Sequence, residues 1–126
     1  MYQVCVRKNF IASHFLIGGN WGLENHLHSH DYCLEVLVEG AALNHHGYLV
    51  DIDDLKTKIN DSLAPYIEKV LNESPDFQNL NPSLEHFAAI LARKIASSPI
   101  PGVTSLKVRL WEDQSAYASF KMPLLS

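Results

Sequence analysis

The run from His28 to Val38, HSHDYCLEVLV, constrains the fold of this chain more than any other stretch. In extended backbone, successive side chains point to opposite faces and residues two apart share one. His28, His30, Tyr32, Leu34, Val36 and Val38 therefore line one face, which is apolar for most of its length and carries imidazoles at its start. Asp31, Glu35 and Glu39 fall on the other face, towards water. Such a strand needs a cover for its apolar side, and it carries two imidazoles at the end of that covered face. Two imidazoles close together are good ligands for a tetrahedral metal ion, with a third protein ligand from elsewhere and a fourth position left open. His14, in Phe10-Ile11-Ala12-Ser13-His14, is the leading candidate for the third. His26 has the same parity as His28 and His30, so spacing does not choose among them. H-x-H pairs also occur on surface strands that bind no metal.

The rest of the chain supplies the cover. Tyr2 to Phe10 reads as a first strand, with Tyr2, Val4, Val6 and Phe10 on its apolar face. Continued alternation brings His14 to that same face. A helix begins near Asp51, where Asp51, Asp53 and Asp54 favour the helix dipole and the free N–H groups of the first turn. Its stripe is Ile52, Leu55, Ile59 and Leu63; Pro65 interrupts it, and Tyr66, Ile67, Val70 and Leu71 resume a second part ending near Asn72. Asn81-Pro82 predicts another helix start, with Asn81 as cap and the stripe Leu84, Phe87, Ala88, Leu91 and Ile95. Thr104–Leu110 and Ala116–Phe120 alternate again, joined by a hairpin at Asp113-Gln114. The order β-β-α-α-β-β gives an α+β fold, an antiparallel sheet with two helices on one face. Glu112 continues the apolar parity of Leu106, Val108 and Leu110. Either it is a buried carboxylate awaiting a ligand with adjacent N–H donors, or the strand has ended and it lies in a solvated hairpin.

Length and charge narrow the function classes. The 126 residues are expected to form a single domain, residues 1–126. A net charge of −4 with ten basic residues excludes a nucleic-acid groove, and no apolar run is long enough to span a membrane. The N-terminal segment is too polar for a signal peptide, and Cys5 and Cys33 read as small core residues rather than a disulfide, so a cytoplasmic protein is expected.

In order along the chain, Phe10-Ile11-Ala12-Ser13-His14, His28-Ser29-His30-Asp31-Tyr32, Gly47–Lys56, Leu71-Asn72, Asn81-Pro82-Ser83-Leu84-Glu85 and Glu112 match a set of short motifs. Together they resemble the 6-pyruvoyl-tetrahydropterin synthase and 6-carboxytetrahydropterin synthase family. The resemblance implies the tunnelling fold, with chains side by side in a ring barrel, a trimeric ring or a hexamer of two stacked rings, and sites at subunit interfaces. It implies one zinc ion (Zn2+) on His14, His28 and His30, which sets His26 aside. It implies a pterin anchored by Glu112 and framed by Ser83 and Glu85.

Two departures bear on the reaction. Most members of the family carry C-x-x-x-H-x-H, whereas this chain has Glu24-Asn25-His26-Leu27-His28-Ser29-His30. It resembles the subgroup with E-x-x-x-H-x-H, lyases that cleave the side chain of dihydroneopterin triphosphate to 6-hydroxymethyl-7,8-dihydropterin for folate biosynthesis; here the expected substrate is dihydroneopterin or its phosphate. The Asp-His pair expected before Leu71-Asn72 is also missing. Glu68 stands where the histidine would be, either as a replacement in proton transfer or as a solvated helix residue. Retro-aldol cleavage with Glu24 as acid/base is the leading expectation. The alternatives are a 6-pyruvoyl or 6-carboxy synthase reaction and a non-catalytic ring protein that binds pterin and zinc.

Overall fold

A computed structural model describes residues 1–124 of the chain. Its four strands, β1 (Tyr2–His14), β2 (His28–Gly40), β3 (Ser105–Trp111) and β4 (Tyr117–Pro123), form one antiparallel sheet in the order β1-β2-β3-β4. Helices α1 (Ile52–Leu63) and α2 (Leu84–Ile95) lie between β2 and β3 in sequence. They pack against one another and against the even-numbered faces of the strands. The α+β arrangement with both helices on one face is the one the alternation implies.

The core is the meeting of that face with the helical stripes. Val6, Phe10, Tyr32, Leu34, Val36, Val38, Leu106, Val108 and Leu110 from the sheet are buried against Leu55, Ile59, Leu63, Phe87, Leu91 and Ile95 from the helices. Near the histidine end the packing is aromatic. Phe10 and Tyr32 stack with ring centroids 5.2 Å apart, and the Phe87 edge meets both. Rings locked in this way form a stiff floor, because each has few rotamers left once its faces are covered.

The first strand extends beyond Phe10, the end of its expected range, along the continued alternation. β1 runs unbroken to His14, and β2 starts at His28. The register pairs His14 with His28 and Ala12 with His30, so the three imidazoles share one end and one face of the sheet. On the opposite face, Glu35 is less exposed than its parity implied. Its side chain is only 14% exposed, accepting from the Trp111 indole N–H at 2.6 Å and pairing with Arg7 at 3.4 Å. Cys5 lies exposed on that same face and is not a core residue.

The helices differ from expectation at their ends. Helix α1 stops at Leu63, and no second helical part follows Pro65. Glu68 instead adopts φ +58°, its N–H donates to the Ile11 carbonyl, and the Lys69 carbonyl accepts from Ser13 N–H. The backbone groups that a helix would use are thus committed to the outer edge of β1, and Leu71–Glu73 forms only a 3-10 turn. Helix α2 is capped by Ser83, whose hydroxyl accepts from His86 N–H, and not by Asn81. Leu49 is buried, and Asp51 caps α1 through the N–H groups of Asp53 and Asp54. No helix among the described residues is long and apolar enough to cross a membrane.

Candidate metal centre

His14 enters the site from the last position of β1 and is 3% exposed. The chain after it is clamped on both sides. The Asn72 side chain accepts from Phe15 N–H and donates to Phe15 C=O, both at 2.9 Å, and the Asn81 side chain accepts from Ile17 N–H at 3.1 Å. Two of the sequence motifs therefore work through backbone anchoring. A third contact is made by main chain: His14 Nδ1 donates to the Pro82 carbonyl at 3.0 Å. Because a carbonyl can only accept, this bond puts the ring proton on Nδ1 and leaves Nε2 bare.

His28 is oriented by the same device. Its Nδ1 donates to the His26 carbonyl at 2.7 Å, again freeing Nε2. His26 thus takes part through its backbone, and its imidazole lies outside the group. The Nε2 atoms of His14 and His28 stand 2.9 Å apart. The ring planes of the three histidines are nearly perpendicular to one another, with centroids 4.6–5.0 Å apart. His30 Nε2 is buried and has no hydrogen-bond partner, its nearest opposite charge being a Glu112 oxygen at 4.0 Å. One ligand atom from each of His14, Glu24, His28 and His30 lies within 4.8 Å of all the others.

This geometry passes a test for a metal ion. Two neutral imidazoles with their protons committed elsewhere present facing lone pairs at 2.9 Å, and a third ring nitrogen is buried without a partner. Facing lone pairs repel, and a buried orphan nitrogen is costly. A cation at their centre removes both penalties at once. The set of imidazole nitrogens and a carboxylate matches the ligand chemistry of zinc-like divalent ions.

Burial and its two imidazole neighbours push the His14 pKa down from 6.5 to about 4. The unfolded chain therefore takes up a proton at His14 in a range where the folded, metal-free protein does not. Stability of the metal-free protein should fall as pH drops from about 6.5 to about 4. Chemical denaturation of wild type and His14→Gln across that range checks this: the wild type should lose more stability than the variant on acidification. Parallel curves would mean that His14 titrates alike in both states.

The other expected residues divide. Glu24 sits in the 3-10 turn Gly22–Asn25, and its carboxylate oxygen is 2.8 Å from His28 Nε2. Glu112 follows the end of β3 with its side chain 32% exposed, and burial pushes its pKa up while His30 pulls it down. Together with His30, Trp111, Asp113 and Gln114 it lines a cleft of about 630 Å³ that continues along the sheet beside Ser29, Asp31 and Cys33. Ser83 spends its hydroxyl as the α2 cap, and Glu85 is exposed in the first turn of that helix. Glu68 is exposed beyond the outer edge of β1 and is not among the grouped side chains. What the sequence left unseen were the carbonyls of His26 and Pro82 and the amides of Asn72 and Asn81. Only the occurrence of Asn72, Asn81 and Pro82 in the ordered motifs pointed to any of them.

The sequence matches the 6-pyruvoyl tetrahydropterin synthase family over residues 3–123. It is 31% identical to a dihydroneopterin monophosphate aldolase of Pyrococcus furiosus, over 87% of this chain and 89% of that protein. It is 28% identical to a Pyrococcus abyssi protein provisionally named a 6-carboxy-5,6,7,8-tetrahydropterin synthase, over 93% of this chain and 88% of that one. The fold superimposes on the 6-pyruvoyl tetrahydropterin synthase of Caenorhabditis elegans with a TM-score of 0.83 and 18% identity, over 96% of this chain and 95% of that one. The chain belongs to the 6-pyruvoyl tetrahydropterin synthase family, whose members process pterins.

Proposed function

We propose that this protein is a zinc-dependent lyase that cleaves the side chain of dihydroneopterin or its phosphate, releasing 6-hydroxymethyl-7,8-dihydropterin. The observation that carries the reading is the convergence of three histidine nitrogens with a glutamate carboxylate, where most of the family has a cysteine. The likeness to a dihydroneopterin monophosphate aldolase supports the same reaction.

His14, His28 and His30 would hold the zinc ion. When bound, it supplies Lewis-acid polarisation of the substrate side-chain hydroxyls. The pterin ring would lie in the cleft beside Glu112, whose carboxylate accepts from the ring N3–H and 2-amino group, with Ser83 and Glu85 framing the pocket. Glu24 would act as the base. It takes the proton of the 2′-hydroxyl as the C1′–C2′ bond breaks, and the bonding pair passes into the dihydropterin ring system. Carbon 2′ leaves as an aldehyde, and the proton returns to C1′ to complete the hydroxymethyl product. A base must lie within hydrogen-bond reach of its proton, and the Glu24 carboxylate already stands in the metal group. Glu68, exposed beyond the outer edge of β1, would serve in this scheme as a second proton carrier. The whole stretch 1–126 would work as one domain in a cytoplasmic homo-oligomer, a trimeric ring or hexamer, joined through the outer strands β1 and β4.

Incubating zinc-loaded protein with dihydroneopterin and its mono- and triphosphates, followed by chromatography, tests the reading. The 6-hydroxymethyl product is expected; a 6-pyruvoyl or 6-carboxy pterin would establish the synthase reaction instead. Glu112→Ala should weaken binding of the reduced pterin about 10–100-fold, the worth of charge-assisted hydrogen bonds of about 1.5–3 kcal/mol. Calorimetric titration measures this, and unchanged affinity would place the pterin away from Glu112.

A further inference from the structure

We infer that Glu24 is itself a metal ligand in the substrate-free protein, closing the coordination position that substrate must open. The inference rests on the metal-site reading above and adds a second role for the residue proposed there as base.

His28 Nδ1 donates to the His26 carbonyl at 2.7 Å, so in the neutral ring Nε2 carries only a lone pair. Two acceptors face that lone pair, His14 Nε2 at 2.9 Å and the Glu24 carboxylate at 2.8 Å. A nitrogen without a hydrogen cannot bond to either, and a carboxylate brought against a bare lone pair is repelled. One cation shared by all of them resolves every contact. The donor count also agrees, because three imidazole nitrogens and one carboxylate oxygen fill a tetrahedral site.

The backbone around Glu24 is built to deliver the carboxylate. Its carbonyl accepts from Leu16 N–H at 2.9 Å. The neighbouring Asn25 side chain accepts from Trp21 N–H at 2.6 Å and donates to the carbonyls of Leu16 and Gly19. The loop therefore fixes the Cα of Glu24 while leaving its side chain half exposed, at 51%. The 3-10 turn that carries it contains no buried residue. Swinging the carboxylate aside costs no core packing. A closed four-ligand site is the arrangement of structural zinc, whereas catalysis requires an open position. In this chain both states are available through one side chain. Substrate hydroxyls arriving at the metal displace the carboxylate, which then stands beside the hydroxyl whose proton must leave.

The test uses metal affinity and spectrum, not turnover. Zinc affinity by chelator competition and the visible spectrum of the cobalt(II)-substituted protein are measured for wild type and Glu24→Gln. The variant should bind zinc about 10–100-fold more weakly, since loss of even an outer partner of a ligand costs that much. Its cobalt bands should shift in position and intensity. Adding dihydroneopterin to cobalt-loaded wild type should shift the bands as well, and the same addition should leave those of Glu24→Gln much less changed. Equal zinc affinity and superimposable cobalt spectra in the two proteins would overturn the inference. The exposed position of Glu24 makes misfolding of the variant distinguishable, because the circular dichroism of both metal-free proteins should coincide. Ligation by Glu24 in a protein that cleaves no pterin would leave the inference standing and remove the proposed reaction. Cleavage by a protein whose metal ignores Glu24 would do the reverse.

Discussion

Replacing Glu24 by glutamine should lower kcat for side-chain cleavage by about 10²–10⁴-fold, the usual contribution of a positioned general base. Glutamine keeps the shape and length of the side chain but cannot take a proton. Assays run at saturating zinc separate this effect from the weaker metal binding inferred above. Under those conditions affinity for the reduced pterin should stay within a few-fold of wild type, because the proposed ring anchor is Glu112, which neighbours His30, whereas Glu24 neighbours His28. A kcat unchanged at full metal loading would remove Glu24 from proton transfer. A raised KM with kcat intact would instead mark it as a residue that only binds substrate.

The second large effect belongs to His28. It is the central member of the group, with His14 Nε2 at 2.9 Å and the Glu24 carboxylate at 2.8 Å. His28→Ala should weaken zinc binding by roughly 10²–10³-fold, one ligand's share of the ~10–16 kcal/mol that a four-ligand zinc site provides. His26→Ala is the matched control. The imidazole of His26 lies outside the group, and its contribution to the site is a backbone carbonyl that alanine retains. Equilibrium dialysis with metal analysis should find one tightly held zinc per chain in the His26 variant and none in the His28 variant. The opposite result would mean that the register of β2 is shifted by two residues.

The contrast between those two histidines shows where sequence reasoning reached its limit. Parity alone put His14 and His28 on the apolar face, and the alternation of β1 carried through to His14 as expected. That these two residues sit directly opposite one another is a matter of strand register, fixed by all thirteen β1–β2 pairs together and invisible in either strand by itself. His26 shares the parity but lies before the strand, as the residue that ends a 3-10 turn, so alternation no longer governs it. Glu112 was legible as a polar residue on an apolar face. In the structure β3 ends at Trp111, yet the partly buried carboxylate still neighbours His30.

Helix boundaries were harder for a physical reason. The apolar pattern after Pro65 is real, and Tyr66 and Leu71 are fully buried. Burial there is achieved by turns, however, because the Glu68 N–H and the Lys69 carbonyl serve the open edge of β1. Local periodicity reports which side chains go inside and says nothing about which backbone groups find partners in another strand. The start of α2 follows the same logic. Asn81-Pro82 has the composition of a cap, but the Asn81 amide and the Pro82 carbonyl serve Ile17 and His14, and Ser83 takes the capping role. Residues with a strong local preference were here used at a distance, to hold the segment that presents the first histidine.

A metal-centred retro-aldol cleavage at this group of histidines, as proposed, yields a diagnostic second product. Cleavage of the C1′–C2′ bond must release a two-carbon aldehyde, glycolaldehyde or its phosphate, in step with the pterin. The measurement is the yield of that aldehyde, with zinc-loaded and zinc-stripped protein, from dihydroneopterin and its monophosphate. One equivalent per 6-hydroxymethyl-7,8-dihydropterin, lost on stripping and regained on zinc addition, is the predicted result. Turnover of the pterin with no aldehyde, or aldehyde release indifferent to the metal, would contradict it.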